Sequence, residues 1–399
     1  MNLDKLKTTD GVDVKGKRVL VRADLNVPIK DAKVTDATRL ERLVPGLKDL
    51  SGRGAKVIII SHFGRPKNGP EAQFSLKPVA DALSGLLGGP VTFVGDCVGE
   101  AASGAVAQVT DGGIAVLENL RFHKGEEKND GAFAAQLAKL GDIYVGDAFS
   151  CAHRAHASTE GLTHHLPSYA GPLLMEEINA LRTALEKPRR PVAAIVGGMK
   201  VSTKIEVLTN LVAKVDKLVI GGGMANTFLQ SLGGMTGQSI TEPDYHATAR
   251  EIMAEAKQKN CELILPVDAL VADAFAEDVD TQIVGIDKVP FDKMILDVGP
   301  KSIAHVNTVL EGCHTVLWNG PMGAFEIRKF ATGTFEVAKK VAELTKAGKM
   351  VSVAGGGDTV AALNAAGVTQ DFTYVSTAGG AFLEWLEGRE LPGVAALTR

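Results

Sequence analysis

Short β-branched runs recur along this chain at intervals wide enough to hold a helix, and that rhythm restricts the fold more than any other feature. "RVLV" (18–21), "KVIIIS" (56–61), "IAVL" (114–117) and "DIYVG" (142–146) form a first series. "VAAIVG" (192–197), "KLVIGGG" (217–223), "ELILPVD" (262–268), "KMILDVG" (293–299), "HTVLWNG" (314–320) and "MVSVAGGG" (350–357) form a second. Continuous apolar strands separated by helical patterns imply α/β architecture, with parallel strands buried on both faces. Two wound sheets are the economical arrangement. Between the series, "MEEINALRTALEKPRRP" (175–191) keeps Ile178, Leu181 and Leu185 in helical spacing until Pro188 and Pro191 forbid continuation. It reads as a connecting helix and linker, giving expected segments 1–174, 175–191, 192–380 and 381–399.

Length and composition agree with two domains. The 399 residues are 45% hydrophobic, enough for two cores, and 44 glycines with 5% aromatics suit many strand-to-helix turns. A formal charge of −4 argues against a general nucleic-acid binder, so any anion site must be local. Cys97, Cys151, Cys261 and Cys313 lie far apart without a CxxC pair, which fits reduced thiols in an intracellular protein and not a zinc site. The polar start "MNLDKLKTTDGVDVKGK" and the lack of a long apolar run lead to the expectation of a cytoplasmic protein without a membrane span.

Ligands of open parallel sheets bind beyond the carboxyl ends of the strands. In the first half those positions carry Arg22, Asp24 and Asn26, then His62 and Arg65 in "SHFGRP", Arg121 in "ENLRFH", and His153, Arg154 and His156 in "CAHRAHAS". Converging guanidinium forks suit a small multiply charged anion such as a sugar-acid phosphate. Each arginine taken singly could equally be a solvated surface residue. In the second half the same positions carry glycines: 197–198, 221–223, "NGPMG" 319–323, "GGGDT" 355–359 and "TAGG" 377–380. Such turns let backbone approach phosphate at a helix N-terminus. Asp358 and Thr359 can cap the following helix, Asp358 could hold magnesium, and Glu326 could accept from ribose hydroxyls or be merely solvated. A helix starting near Lys200 would place Lys200 and Lys204 on one face, near a glycine turn that does not spell a P-loop. An arginine-rich site and a glycine-rich site suggest phosphoryl transfer between a small acid and a nucleotide. No GxGxxG opens a helix, which weighs against a nicotinamide enzyme, and a two-lobed anion binder would not require Lys204, Glu326 or "GGGDT".

The segments "VRADLNVP", "SHFGRP", "ENLRFHKGEEKN", "AHRAHAS", "KVSTKIEVL", "IGGGMANTFL", "WNGPMGAFE", "GGGDT" and "STAGGAFLEWLEGRELPGVAAL" together resemble the phosphoglycerate kinase family, in the family's order and over nearly the whole chain. The resemblance implies two Rossmann-like domains joined by a hinge, with 3-phosphoglycerate on the first and MgADP or MgATP on the second. It also implies reversible transfer of the acyl phosphate of 1,3-bisphosphoglycerate to ADP, and a last segment that returns to the first domain. Position by position, it implies that Asp24 and Asn26 hold the glycerate hydroxyl, and that His62, Gly64, Arg65, Arg121 and Arg154 form the basic pocket. Arg39, which spacing alone would leave on a helix surface, becomes the arginine at the transferring group. Lys204 follows the phosphoryl group with Lys200 nearby, Glu326 meets the ribose, and Gly356, Gly357, Asp358 and Thr359 form the phosphate loop with Asp358 as magnesium ligand. A monomer is expected. Ala23, Leu25, Ser150-Cys151, Met199 and Ala378 depart from the family pattern without removing a charged group from the site.

Overall fold

The computed structural model describes residues 2–399 and divides into two compact units: the first joins the chain up to Ile178 with Glu390–Arg399, and the second spans Asn179–Arg389. The helix Pro172–Leu185 runs across the division and ends ahead of Pro188.

In the first unit six strands form one sheet in the order Val91–Val94, Ile114–Leu117, Lys56–Ile60, Arg18–Arg22, Ile143–Gly146, Ser168–Ala170. All pairs are parallel. The central runs expected from sequence are strands, and they are apolar because the sheet interior leaves them no contact with water: Val19, Leu20, Val57, Ile58 and Ile59 are all fully buried. The helices Thr38–Gly52 and Lys77–Leu87 supply Leu40, Leu43, Leu47, Val79 and Leu83 to the same core. The edge strands Val91–Val94 and Ser168–Ala170 were not expected.

The second unit's main sheet runs Glu262–Ile264, Lys217–Ile220, Val192–Val196, Thr315–Asn319, Val351–Gly355, Tyr374–Ser376, again all parallel. Numbered within this sheet, that is the doubly wound order 3-2-1-4-5-6, whose direction of winding reverses between Val192–Val196 and Thr315–Asn319. Its core gathers Trp318, Val316, Ile195, Val337, Val341 and Leu363, with Trp318 Nε1 donating to Gly320 O at 2.7 Å.

One strand differs from expectation. "KMILDVG" does not join the parallel sheet: Met294–Val298 pairs antiparallel with Asp268–Ala272, which also pairs antiparallel with Thr281–Gly285. A short apolar run looks the same in either sheet type, and only the connections decide its partner. Asp268–Ala272 and Thr281–Gly285 pair as a hairpin, and the chain then crosses the central strand to lay Met294–Val298 on its other edge.

Candidate active site

The carboxyl ends of the first sheet open into a pocket of about 230 Å³ lined by Arg22, Asn26, His62, Gly64, Arg65, Arg121, Ser150, Cys151, His153, Arg154 and His156. Four expected residues of the basic set, His62, Arg65, Arg121 and Arg154, therefore meet in one place, with Asn26 and Gly64 beside them. Local bonds explain how separate loops hold this form. Ser61 Oγ donates to Ala23 O at 2.9 Å and accepts from Leu25 N at 3.1 Å, locking together the loops after two neighbouring strands. Asn119 does the same for "SHFG", accepting from Phe63 N and donating to Phe63 O and Phe74 O. Gly64 sits at φ +57 with Phe74 against the space a Cβ would fill, so only glycine fits while its N–H donates to Asn26 Oδ1 at 3.0 Å.

The cations differ in character. Arg22 is an internal strut: Nε donates to Ser158 Oγ at 2.8 Å, Nη1 to Ala23 O at 2.7 Å, and Nη2 lies 3.1 Å from His62 Nδ1. Because a guanidinium only donates, His62 Nδ1 must accept, which leaves the proton on Nε2. Burial, with Arg22, Arg121, His156 and Arg154 close by, lowers the His62 pKa to about 2, so its ring is neutral. His156 is lowered to about 4 by burial and by Arg121 and Arg22. Arg121 Nη1 donates to Gly64 O at 2.8 Å, while Nε lies 3.3 Å from Glu127 Oε1 without hydrogen-bond geometry. Arg65 is exposed, and no ion pair engages it among the described residues. Burial is the larger cause of both shifts and the neighbouring guanidinium groups add to it, so the positive charge of the pocket comes from its arginines and not from its imidazoles.

Asp24 and Arg39 adjoin this pocket. Arg39, in the first turn of Thr38–Gly52, donates from Nη1 to Asp24 Oδ2 at 2.9 Å and to Asn26 O at 3.0 Å. Ser150 Oγ donates to the same Asp24 oxygen at 2.6 Å. Asp24 thus ties Arg39 to the pocket wall, a connection invisible in the spacing of "DATRLERL".

In the second unit the winding reversal brings backbone against backbone. A Cβ on Gly197 would overlap the Pro321 carbonyl, and one on Gly320 would overlap Gly197 O, so both turns need glycine. Lys204 Nζ donates to Asn319 Oδ1 at 2.5 Å, Asn319 Nδ2 donates to Gly355 O at 2.8 Å, and Gly320 N donates to Thr359 Oγ1 at 2.7 Å. Three glycine turns are so joined under one ammonium group. Burial lowers the Lys204 pKa, opposed by Glu387 and Asp358.

Two expectations fail here. The α-helix begins at Ile205, after a 3-10 turn Val201–Thr203, so Lys204 is its N-cap and Lys200 precedes the turn in extended conformation. The lysines do not share a helix face, and Lys200 is exposed outside the cleft lining. Neither Asp358 nor Thr359 caps its helix either; Gly356 is the N-cap at φ +100, and Thr359 serves Gly320 instead.

Beside these turns lies a cleft of about 290 Å³, walled by Met199, Leu229, Ile240, Phe275, Ile286 and Pro321 among others, with Glu326 and Asp358 on its lining. Met199, Ile240 and Phe275 are more than half exposed, which is costly unless an apolar ligand face covers them. Two further carboxylates on the lining are already satisfied. Asp268 accepts from Lys301 N and Ser302 N, and Asp297 accepts from Val298 N and Gly333 N. Burial raises the Asp297 pKa to about 7. Asp358 is exposed, and among the described residues no hydrogen bond engages its carboxylate. A free carboxylate offers the oxygen donors that a hard divalent cation takes, beside the turn at Gly356.

A cation-lined anion pocket on one unit and a glycine-turned, apolar-walled cleft on the other define a phosphotransferase working between a small acid and a nucleotide. The family model described as phosphoglycerate kinase matches residues 9–389. The phosphoglycerate kinase of Bradyrhizobium diazoefficiens is 60% identical over 394 residues, covering 99% of both chains, and that of Rhizobium leguminosarum bv. trifolii is 58% identical over 396 residues with 99% of each covered. Among solved structures, phosphoglycerate kinase from Coxiella burnetii superposes with a TM-score of 0.92 at 43% identity, covering 98% of this chain and 99% of that one. The enzyme from Pyrococcus horikoshii gives 0.81 at 30% identity, with 98% of each chain covered. The chain belongs to the phosphoglycerate kinase family.

Proposed function

We propose that the cation-lined pocket takes 3-phosphoglycerate and the apolar cleft takes MgADP or MgATP, dividing the substrates of a phosphoglycerate kinase between the two units. The enzyme transfers the acyl phosphate of 1,3-bisphosphoglycerate reversibly to ADP, yielding 3-phosphoglycerate and ATP in glycolysis. The contrast between the linings carries the assignment: guanidinium and imidazole groups without an apolar wall in one, an apolar wall beside glycine turns in the other.

Arg65, Arg121 and Arg154 neutralise the phosphate of the small acid, the His62 Nε2–H donates to it, and Asp24 and Asn26 orient the glycerate hydroxyl. Glu326 accepts from the ribose, and the amides from Gly356 to Thr359 cradle phosphate oxygens. Asp358 holds the magnesium ion, which supplies charge neutralisation on the nucleotide phosphates. Arg39 and Lys204 stabilise charge on the group in flight, and Lys200 lends positive field nearby. No covalent nucleophile is required; closure about Pro172–Leu185 brings the acceptor and donor oxygens together and excludes water. One chain carries both pockets, which favours a monomer. Its four cysteines are free and buried, which suits a reducing cytoplasm, and no helix among the described residues is long and apolar enough to cross a membrane.

Arg39→Ala and Lys204→Ala test the roles. Each is expected to lower kcat by at least about a hundredfold while changing the MgADP dissociation constant severalfold at most, since both charges act chiefly in the transition state. Near-normal turnover in either variant would overturn the assignment.

A further inference from the structure

We infer that Asp96, Cys97 and His123 form a binding site for a zinc-like divalent cation, outside both substrate pockets. One donor atom from each residue lies within 4.8 Å of the other two. The sheet fixes this meeting: Asp96 and Cys97 follow strand Val91–Val94, His123 follows the turn after Ile114–Leu117, and the two strands are parallel neighbours. His123 Nε2 is 2.7 Å from Asp96 Oδ1, and its ring stacks on Phe133 with centroids 5.2 Å apart, so its orientation is set in advance. The Asp96 carboxylate is itself held by the amides of Cys97 at 2.7 Å and Val98 at 3.4 Å. Such outer bonds fix first ligands in metal sites.

The donor set is that of zinc, contrary to the expectation from cysteine spacing, because the other two ligands are not cysteines: one thiolate, one imidazole and one carboxylate, with a fourth tetrahedral position for water. Ligand atoms about 2.0–2.3 Å from the ion would stand roughly 3.3–3.7 Å apart, so the His123–Asp96 bond opens by under about an ångström. Thiolate and carboxylate together cancel the cation's charge. Cys97 is fully buried, while Asp96 and His123 keep 46% and 33% of their side-chain surfaces open, which gives an ion a path from solvent. As the ion binds, the Cys97 thiol gives its proton to solvent.

Titrating Co²⁺ into the full-length, chelator-stripped protein tests the site. One equivalent is expected to produce a near-ultraviolet thiolate-to-cobalt band with strong visible bands of four-coordinate cobalt, and Zn²⁺ should displace it. Cys97→Ser should abolish the charge-transfer band, and His123→Ala should weaken binding by more than about tenfold, because losing a ligand exceeds losing an outer partner. Circular dichroism of each variant reports whether it has folded; should Cys97→Ser fail to fold, His123→Ala decides alone. The inference is overturned by a wild-type protein without the charge-transfer band, by a band undiminished in folded Cys97→Ser, or by unchanged affinity in folded His123→Ala.

Discussion

Replacing His62 with glutamine should flatten the acid side of the protein's stability profile by an amount the pocket itself sets. The folded His62 pKa is about 2 against an ordinary value of 6.5. Between those values the unfolded chain binds a proton that the folded chain refuses, so stability is present above 6.5 and falls as pH drops below it. At pH 5 the unfolded imidazole lies about 1.5 pH units below its own midpoint, which costs the fold about 2 kcal/mol; at pH 7.5 the cost is below about 0.1 kcal/mol. Glutamine does not titrate, and its amide oxygen can still accept from Arg22 Nη2. His156, lowered to about 4, pulls in the same direction, while Asp147 and Asp297, both raised to about 7, pull in the other. These groups are common to both proteins, so the double difference isolates His62. Thermal unfolding followed by circular dichroism at pH 7.5 and 5.0 should show wild type losing about 2 kcal/mol more than His62→Gln, or roughly 4–8 °C for a unit of this size. Equal pH dependence in the two proteins would refute the neutral, Arg22-bonded imidazole.

Asn319→Ala removes the acceptor 2.5 Å from Lys204 Nζ and orphans Gly355 O. It should cut kcat by about tenfold or more with a smaller change in MgADP affinity, as steady-state kinetics and calorimetry on the same sample would show. Gly197→Ala drives a methyl group into the Pro321 carbonyl, where only backbone can yield. The second unit should lose about 3 kcal/mol or more together with nucleotide binding, and a wild-type melting temperature would contradict the close backbone crossing.

The interior strands were legible because burial on both faces forces long apolar runs, as in "KVIII" and "RVLV". The edges were not: "VTFV" is half exposed, and "SYA" and "YVS" are three residues each, held by a neighbour's hydrogen bonds more than by their own composition. The cationic pocket could be read from charges recurring at strand ends. Arg39 could not, since its role depends on Asp24, fifteen positions earlier and adjacent only in space. The same holds for Asn119 and Ser61, whose backbone clamps leave no mark in spacing. The apolar cleft draws Met199, Ile240, Phe275 and Ile286 from four separate segments, so no local pattern announced it. Lys200 was misplaced because a 3-10 turn and an α-helix share their opening pattern and differ only in where the hydrogen bonds close.

The central claim is that the two pockets divide the substrates, and calorimetry on Arg65→Ala and Glu326→Ala tests it most directly. Removing Arg65 should weaken 3-phosphoglycerate binding about tenfold or more and leave MgADP within about twofold, and removing Glu326 should weaken MgADP severalfold and leave 3-phosphoglycerate untouched. A folded Arg65→Ala protein with wild-type affinity for 3-phosphoglycerate, or either variant losing the other's ligand instead, would contradict the account.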